Sequence, residues 1–478
     1  MNILFATSEL TPYAKTGGLG DVVAALPAAI RGQGHSVSVV IPLYRALKKT
    51  LPRLKLSELI LTAQLGAFEV TARVWNGVTE NGVSVFAIER DEYYDRGNLY
   101  GGAGGDYFDN ASRFIFFSKM VVELARYVEP RPEIIHVNDW QTALVPALVK
   151  QARLPYKTVL TIHNLAYQGL FPYYDFNLTN LPDSWFRVDA LEYYGMLNLL
   201  KSGILSVDEV TTVSPTYAKE ILTEEFGCGL HDALTLRSAQ GALTGILNGI
   251  DTEVWNPAKD RFIKHGYDRE TLKNKKICKK ELLQKMGFKK GASKPLVACI
   301  SRLVEQKGFD LIVEIMPKLL KTGAHFVLLG SGDPVLEKAF LELAKKFPQQ
   351  VAVRIGFDED LAHEIEAGAD LFLMPSVFEP CGLNQMYSQR YGTIPIVHDI
   401  GGLSDSVKAW NGKKKSGTGF KFKGGTSDAL WKQVKAALEL MGDSEGWEAI
   451  RRNAMARDFS WAHVVPRYED VYEKVLGK

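Results

Sequence analysis

At 478 residues the chain is too long for one ordinary core, and a prior of roughly 150 residues per domain points to two or three domains. Hydrophobic residues make up 46% and charged residues 23%, the balance of an ordinary globular protein, and a formal net charge of +2 argues against a general polyanion or nucleic-acid binder. Four cysteines without CxxC or metal-finger spacing indicate neither a disulfide framework nor a structural zinc site. No run approaches the roughly 18 apolar residues needed to span a bilayer, and the N-terminus lacks a charged segment ahead of a long apolar one, so a cytoplasmic protein without a membrane partner is expected.

Short apolar runs bounded by turn residues recur along the chain with helical stretches between them. NILFAT, VSVVIP, EIIHVND, KTVLTIH, EVTTVS and TGILNG occupy the first half; PLVACIS, AHFVLLG, VAVRIG, ADLFLMP and IPIVHD repeat the scheme in the second. Continuous apolar strands alternating with helices imply parallel sheets covered on both faces, hence an α/β chain of two doubly wound domains. The break falls after ILNGID, in the Pro-, Gly- and charge-rich stretch Thr252 to Asp268, giving domains 1–250 and 251–458. The tail carries Val464, Val465, Tyr468, Val471, Tyr472 and Val475 at helical spacing, which predicts a terminal helix over 459–478 packed on one domain. The basic run Lys273 to Lys294 reads as a helix with a solvated charged face, a docking patch for something acidic being the alternative.

The first strand empties into KTGGLGDVVAALP, Lys15 to Pro27. Gly17, Gly18 and Gly20 would let the backbone approach a ligand and adopt positive φ, the following helix would offer its N-terminal N–H groups to an anion, and Lys15 adds a charge. The stretch matches neither GxGxxG nor a P-loop. A tight strand–helix turn, with Asp21 compensating the helix dipole, is the competing reading. Further on, HVNDW and TIHNLAYQG end two strands of the same half with groups that bind hydroxyls: Asp139, His163 and Asn164, with Trp140 offering a flat face to a sugar ring. The alternatives are Asp139 as a helix N-cap and His163 as a core histidine.

In the second half, ISRLVEQKGFD places Arg302 and Lys307 after a strand and beside a helix N-terminus, where two cations and a dipole would converge on a diphosphate. Surface salt bridges are the rival explanation. RIGF puts Phe357 after a strand and Gly356; a lone Phe is as a rule a core residue, and stacking on a base is the other reading. The most specific stretch is MPSVFEPCGLNQMYSQRYGTIPIV, in which Glu379 follows an apolar strand, Pro380 and Gly382 shape the turn, and a helix begins near Leu383. A carboxylate held there would bind sugar hydroxyls; a plain acid at a helix N-terminus is the alternative. No H-E-x-x-H, no paired Cys ligands and no G-x-S-x-G occur, so neither a metal centre nor a serine nucleophile is indicated.

Taken in order, KTGGLGDV, HVNDWQTAL, TIHNLAYQG, ILNGIDTEVWNP, SRLVEQKGFDL and PSVFEPCGLNQMYSQRYGTIPIV resemble the bacterial glycogen synthase and plant starch synthase family from about residue 1 to residue 475. The resemblance implies a GT-B fold, two Rossmann-like domains facing a deep cleft with the last helix crossing back to the first domain. It implies retaining transfer of glucose from ADP-glucose to the non-reducing end of an α-1,4-glucan, with no metal and no cofactor. Lys15, Gly17, Gly18 and Asp21 are then expected at the donor, Asp139, His163 and Asn164 on the transferred glucose, and Trp140 on the acceptor side. Arg302 and Lys307 would neutralise the leaving diphosphate, and Glu379 would hold glucose hydroxyls, with Cys381, Gly382 and Leu383 lining its loop. Asn248 and Gly356 would complete the donor site. Phe357 stands where the family usually has a tyrosine against adenine, and Asn384 where it commonly has threonine. Tyr387, eight residues after Glu379, matches the glycogen synthase branch and not the many GT-B enzymes with a second glutamate there.

Overall fold

The computed structural model describes residues 1–102, 104–289 and 293–478. The chain divides into two compact units, Met1–Gly249 with Trp461–Lys478, and Ile250–Ser460.

The first unit is built on a nine-stranded sheet. Its strands are β1 (Asn2–Ala6), β2 (Ser36–Pro42), β3 (Lys55–Leu65), β4 (Phe68–Val78), β5 (Ser84–Glu89), β6 (Ile134–Asn138), β7 (Lys157–Ile162), β8 (Glu209–Thr212) and β9 (Leu243–Gly245), in spatial order β9-β8-β7-β6-β1-β2-β5-β4-β3. The strands from β9 through β1 to β5 run parallel, as the continuous apolar runs predict. Strands β3 and β4, absent from the run-based reading, extend the sheet antiparallel to β5. Their residues are largely exposed or half-buried, so they lack the unbroken apolar signal of the buried strands. Gly66, at φ +62°, turns Leu65 back onto Phe68.

Helix α1 (Gly18–Gly32) follows β1 and buries Leu19, Val22, Val23, Leu26 and Ile30 at helical spacing. Each such side chain contributes about 1.5–3 kcal/mol on burial. The C-terminal helix, α5 (Trp461–Leu476), belongs to this first unit and buries Val464, Val465, Tyr468, Val471 and Tyr472. It is anchored by polar contacts as well: Tyr472 Oη lies 2.7 Å from His136 Nδ1, and Lys474 Nζ lies 2.7 Å from the buried Glu209.

The second unit carries six parallel strands, β10 (Leu296–Ile300), β11 (His325–Gly330), β12 (Val351–Ile355), β13 (Leu371–Met374), β14 (Ile394–His398) and β15 (Phe420–Phe422). Their order is β12-β11-β10-β13-β14-β15, which reverses direction between β10 and β13. That reversal opens a crevice at the carboxyl ends of those two strands. Helix α3 (Phe309–Lys321) covers one face with Phe309, Ile312, Ile315, Met316 and Leu319, and α4 (Asn384–Arg390) follows β13.

The basic run departs from its expected solvated face. It forms α2 (Lys275–Lys285), where Leu282 and Leu283 are buried and so are Lys275 and Lys279. Lys275 donates to the carbonyls of Glu366 and Ala367 and to Thr393 Oγ1, with burial pushing its pKa down to about 7, and Lys279 pairs with Asp370 at 2.6 Å. These lysines are satisfied core groups because carbonyls at the ends of neighbouring elements need donors. The part of that run at 290–292 lies outside the described residues.

Candidate active site

Each unit carries its own polar cluster at the carboxyl edge of its sheet. In the second unit, β10 leads to Arg302 and Lys307, and the neighbouring β13 leads to Glu379, so the strand reversal brings them together. Lys307 Nζ lies 2.6 Å from Glu379 Oε2, and Ser376 donates its hydroxyl to the same oxygen at 3.0 Å. Glu379 is buried and Lys307 half-buried, so the pair is neither a surface salt bridge nor a helix-terminal acid. Arg302 is exposed and forms no ion pair among the described residues.

The loops bearing these groups are locked to one another. Val377 N donates to Gln306 O and Gln306 Nε2 to Phe378 O, tying the Lys307 loop to the Glu379 loop. Gly308 sits at φ +64° with a Cβ position that would overlap the carbonyl of Pro375, so the approach of the two loops requires glycine. Gly382, at φ +70°, turns the chain into α4 between buried Cys381 and half-buried Leu383. Asn384 donates from Nδ2 to the carbonyl of Ile300 at 2.6 Å, which fastens the start of α4 to the end of β10. Phe357 follows Gly356 (φ +123°) at the end of β12 and is 83% exposed, so it is not the core residue that a lone Phe ordinarily is. Tyr387 is buried and stacks on Trp255 at 3.8 Å.

In the first unit the sheet reverses between β1 and β6, and the same logic applies. Lys15 pairs with Asp21 at 2.6 Å, and Thr11 donates to the same Asp21 oxygen. Glycines 17, 18 and 20 do not take the positive φ expected of them; Gly17 is extended at φ −153°, and Gly18 and Gly20 begin α1. Gly20 matters for close approach, since a Cβ there would lie 2.9 Å from Thr11 Oγ1. The loop is instead organised by Glu9, which sequence reasoning did not single out. Its buried carboxylate accepts from Thr16 N, Gly17 N, Thr16 Oγ1 and Tyr100 Oη. Only the position of an acid just past the first strand hinted at it. No side chain caps α1, so its first-turn N–H groups stay unbonded by any cap.

Asp139 is not a helix N-cap. It follows β6 in the left-handed region at φ +53°, which aspartate adopts more readily than most residues other than glycine, and its Oδ1 accepts from His163 N at 2.7 Å. Burial pushes its pKa up to about 7 against the pull of the His163 and Asn164 N–H groups. His163 Nε2 donates to Asn138 Oδ1 at 2.9 Å, and burial pushes its pKa down to about 3, so the ring is neutral with Nδ1 left as an acceptor. Asn164 turns its Oδ1 onto Ala166 N. Asn248 is buried, and its Oδ1 has no partner among the described residues. Trp140 differs from the expected sugar platform. It is 8% exposed and packed by Gly169, Phe114 and Phe171, a core role that a sequence motif does not reveal.

Two Rossmann-like units, one presenting a lysine–glutamate pair with a free arginine and the other a recessed aspartate and neutral histidine, define a GT-B glycosyltransferase. Residues 2–236 match the starch synthase catalytic domain family and residues 283–455 the glycosyl transferases group 1 family. The chain is 46% identical to the glycogen synthase of Anaeromyxobacter sp. (strain Fw109-5), covering 100% of both chains, and 43% identical to glycogen synthase 2 of Geobacter sulfurreducens, covering 99% of this chain and 98% of the other. The structure is similar to the catalytic domain of starch synthase IV from Arabidopsis thaliana bound to ADP and acarbose, with TM-score 0.92, 34% identity and coverage of 100% and 99%. Sucrose-phosphate synthase from Thermosynechococcus elongatus shares the fold at TM-score 0.62 and 15% identity, with coverage of 100% and 99%. The chain belongs to the glycogen and starch synthase family of glycosyltransferases.

Proposed function

We propose that the protein elongates an α-1,4-glucan by transferring glucose from ADP-glucose to its non-reducing end with retention of configuration, releasing ADP and using no metal. The observation that carries the reading is the Lys307–Glu379 pair at the β10/β13 reversal, where cation and carboxylate are held against each other by two interlocked loops. Glucosyl transfer develops positive charge at the anomeric carbon and negative charge on the leaving diphosphate, so a site needs both signs preorganised within a few ångströms. Lys307 and Arg302 serve the diphosphate in this unit, and in the first unit Lys15 and the uncapped N-terminus of α1 form that unit's own anion-binding edge. The cations take the place of a metal ion.

Glu379 orients glucose hydroxyls. Its carboxylate is already bonded by Lys307 and Ser376, which suits a fixed acceptor better than a nucleophile. We therefore favour attack on the same face as departure, the leaving phosphate oxygen taking the acceptor hydroxyl proton as the new glycosidic bond forms and the C1–O bond to ADP breaks. Asp139, His163 and Asn164 hold the transferred ring, and the partnerless Asn248 oxygen and exposed Phe357 face suit a nucleotide. A cytoplasmic location fits this chemistry, and no helix among the described residues is long and apolar enough to cross a membrane.

Comparing ADP release and chain elongation from ADP-glucose and UDP-glucose on a glycogen primer tests the proposal. Strong preference for ADP-glucose with elongation is expected. Preference for UDP-glucose, or glucan binding without turnover, would overturn it.

A further inference from the structure

A second cluster of cations lies away from the groups just described, where the chain enters and leaves the second unit. Ile250 opens that unit and donates its N–H to the carbonyl of Phe459, near the other end. Beside this closure is a cavity of about 130 Å³, lined by Ile250, Thr252, Arg390, Arg457, Asp458 and Phe459 among others. That volume is well above what a single water needs.

Two arginines line this cavity. Arg390 and Arg457 are both half-buried, both have a buried Nε with no hydrogen-bond partner, and neither forms an ion pair among the described residues. Arg457 is additionally held over the ring of Phe459 at 5.2 Å, which fixes its guanidinium against the cavity wall. The one carboxylate of the lining, Asp458, accepts from the N–H of Ser460 at 2.8 Å. Burial lowers the pKa of Arg457 without an acid to offset it, yet a guanidinium cannot shed its proton at neutral pH. Desolvated cations in proteins are ordinarily paired, because an unpaired buried charge is costly. Two guanidinium groups lining one cavity offer N–H donors of the kind that bind a tetrahedral oxyanion.

We propose that Arg390 and Arg457 form an oxyanion site for the phosphate group, carried either by inorganic phosphate or by a sugar phosphate. The bound anion neutralises both guanidinium groups and fastens the segment entering the unit at Ile250–Thr252 to the segment leaving it at Arg457–Phe459. It also engages the last residue of α4, the helix that begins directly after the Glu379 loop. This site is separate from the donor phosphates assigned to Arg302 and Lys307.

The test is isothermal titration of the full-length protein, first saturated with ADP to fill the donor site, with inorganic phosphate and separately with glucose 1-phosphate at constant ionic strength. One equivalent of either should bind. Arg390→Gln and Arg457→Gln should each weaken binding tenfold or more, the double substitution should abolish it, and Arg302→Gln should leave it unchanged. Tighter binding of glucose 1-phosphate would identify a sugar phosphate as the source, and tighter binding of phosphate the free ion; both outcomes support the site. Should the glutamine variants fail to fold, Arg390→Lys and Arg457→Lys retain the charge but lose the planar N–H fork and should still weaken binding. In the unsubstituted protein, phosphate should raise the thermal midpoint where chloride of equal ionic strength does not. No binding to the ADP-saturated protein, or binding untouched by the double substitution, overturns the proposal.

Discussion

Lys307 Nζ and Glu379 Oε2 are 2.6 Å apart although 72 residues separate them in sequence. The pair exists because β10 and β13 are neighbours at the point where the sheet reverses; in the function proposed above it sets a cation and an anion beside the glucosyl–diphosphate bond that breaks. Replacing Lys307 with Ala should lower kcat by about two orders of magnitude, roughly 3 kcal/mol, in line with the loss of one preorganised donor. It should also destabilise the fold by leaving Glu379 buried without its cation. Steady-state kinetics and thermal melts on Lys307→Ala, Glu379→Gln and the double variant separate the two effects, since contacting residues should be non-additive. A near-normal kcat would remove Lys307 from the mechanism.

Glu9 accepts four hydrogen bonds, two of them from backbone N–H groups of the Lys15 loop. Glu9→Ala strands those donors and should cost about 1–3 kcal/mol of stability, with a matching loss of activity. Glu9→Gln should be much milder, because its oxygen still serves the two N–H groups while its NH₂ meets hydroxyls that can accept. Equal damage from both substitutions would show that the charge, rather than the bond pattern, is what the loop needs.

Opposite pH effects should be separable in the first unit. Asp139 titrates near 7 in the folded chain against an ordinary value of about 3.9. Its raised pKa means the folded state holds the proton more tightly, so its stabilising contribution is full below the unfolded value and is lost as pH rises through 7. His136 and His163 are both pushed down to about 3 by burial. Their contribution is present above about 6.5 and is lost as pH falls from there toward 3. In urea titrations from pH 3 to 8, Asp139→Asn should flatten the decline between 4 and 7 and leave the acid limb intact. An unchanged slope would contradict a recessed carboxyl.

Asn384 bonds Ile300 O from a side chain one atom longer than that of threonine. Asn384→Thr should shorten that reach and loosen the start of α4, with a destabilisation of about 1 kcal/mol, the ordinary worth of one hydrogen bond. A rise in KM for ADP-glucose should accompany it. Identical melting temperatures and kinetics would mean the bond contributes nothing.

Gly308→Ala should be strongly disruptive. The new Cβ meets the carbonyl of Pro375 in a left-handed backbone, so neither rotamer nor loop shift relieves it easily. Loss of both stability and activity is expected, read by thermal melts and turnover.

Much of the fold was legible because buried parallel strands write themselves as unbroken apolar runs, and all eleven runs named from sequence contain or overlap a strand. The β3–β4 hairpin was not legible, since an edge extension that is half in water needs no such run. The basic stretch over α2 misled for a related reason. Composition marks lysines as surface residues, but the carbonyls that capture Lys275 come from Glu366 and Ala367, more than ninety residues away.

The sequence by itself determined which polar groups end which strands, because strand ends and turn residues are local properties. Arg302, Lys307, Glu379, Asp139 and His163 were found that way. Only the tertiary structure decided what those groups meet: that Lys307 closes on Glu379, that Glu9 holds the Lys15 loop, that Trp140 is packed into the core and Phe357 is left bare. These outcomes depend on strand order, and strand order is set by long-range packing that no local stretch of residues encodes.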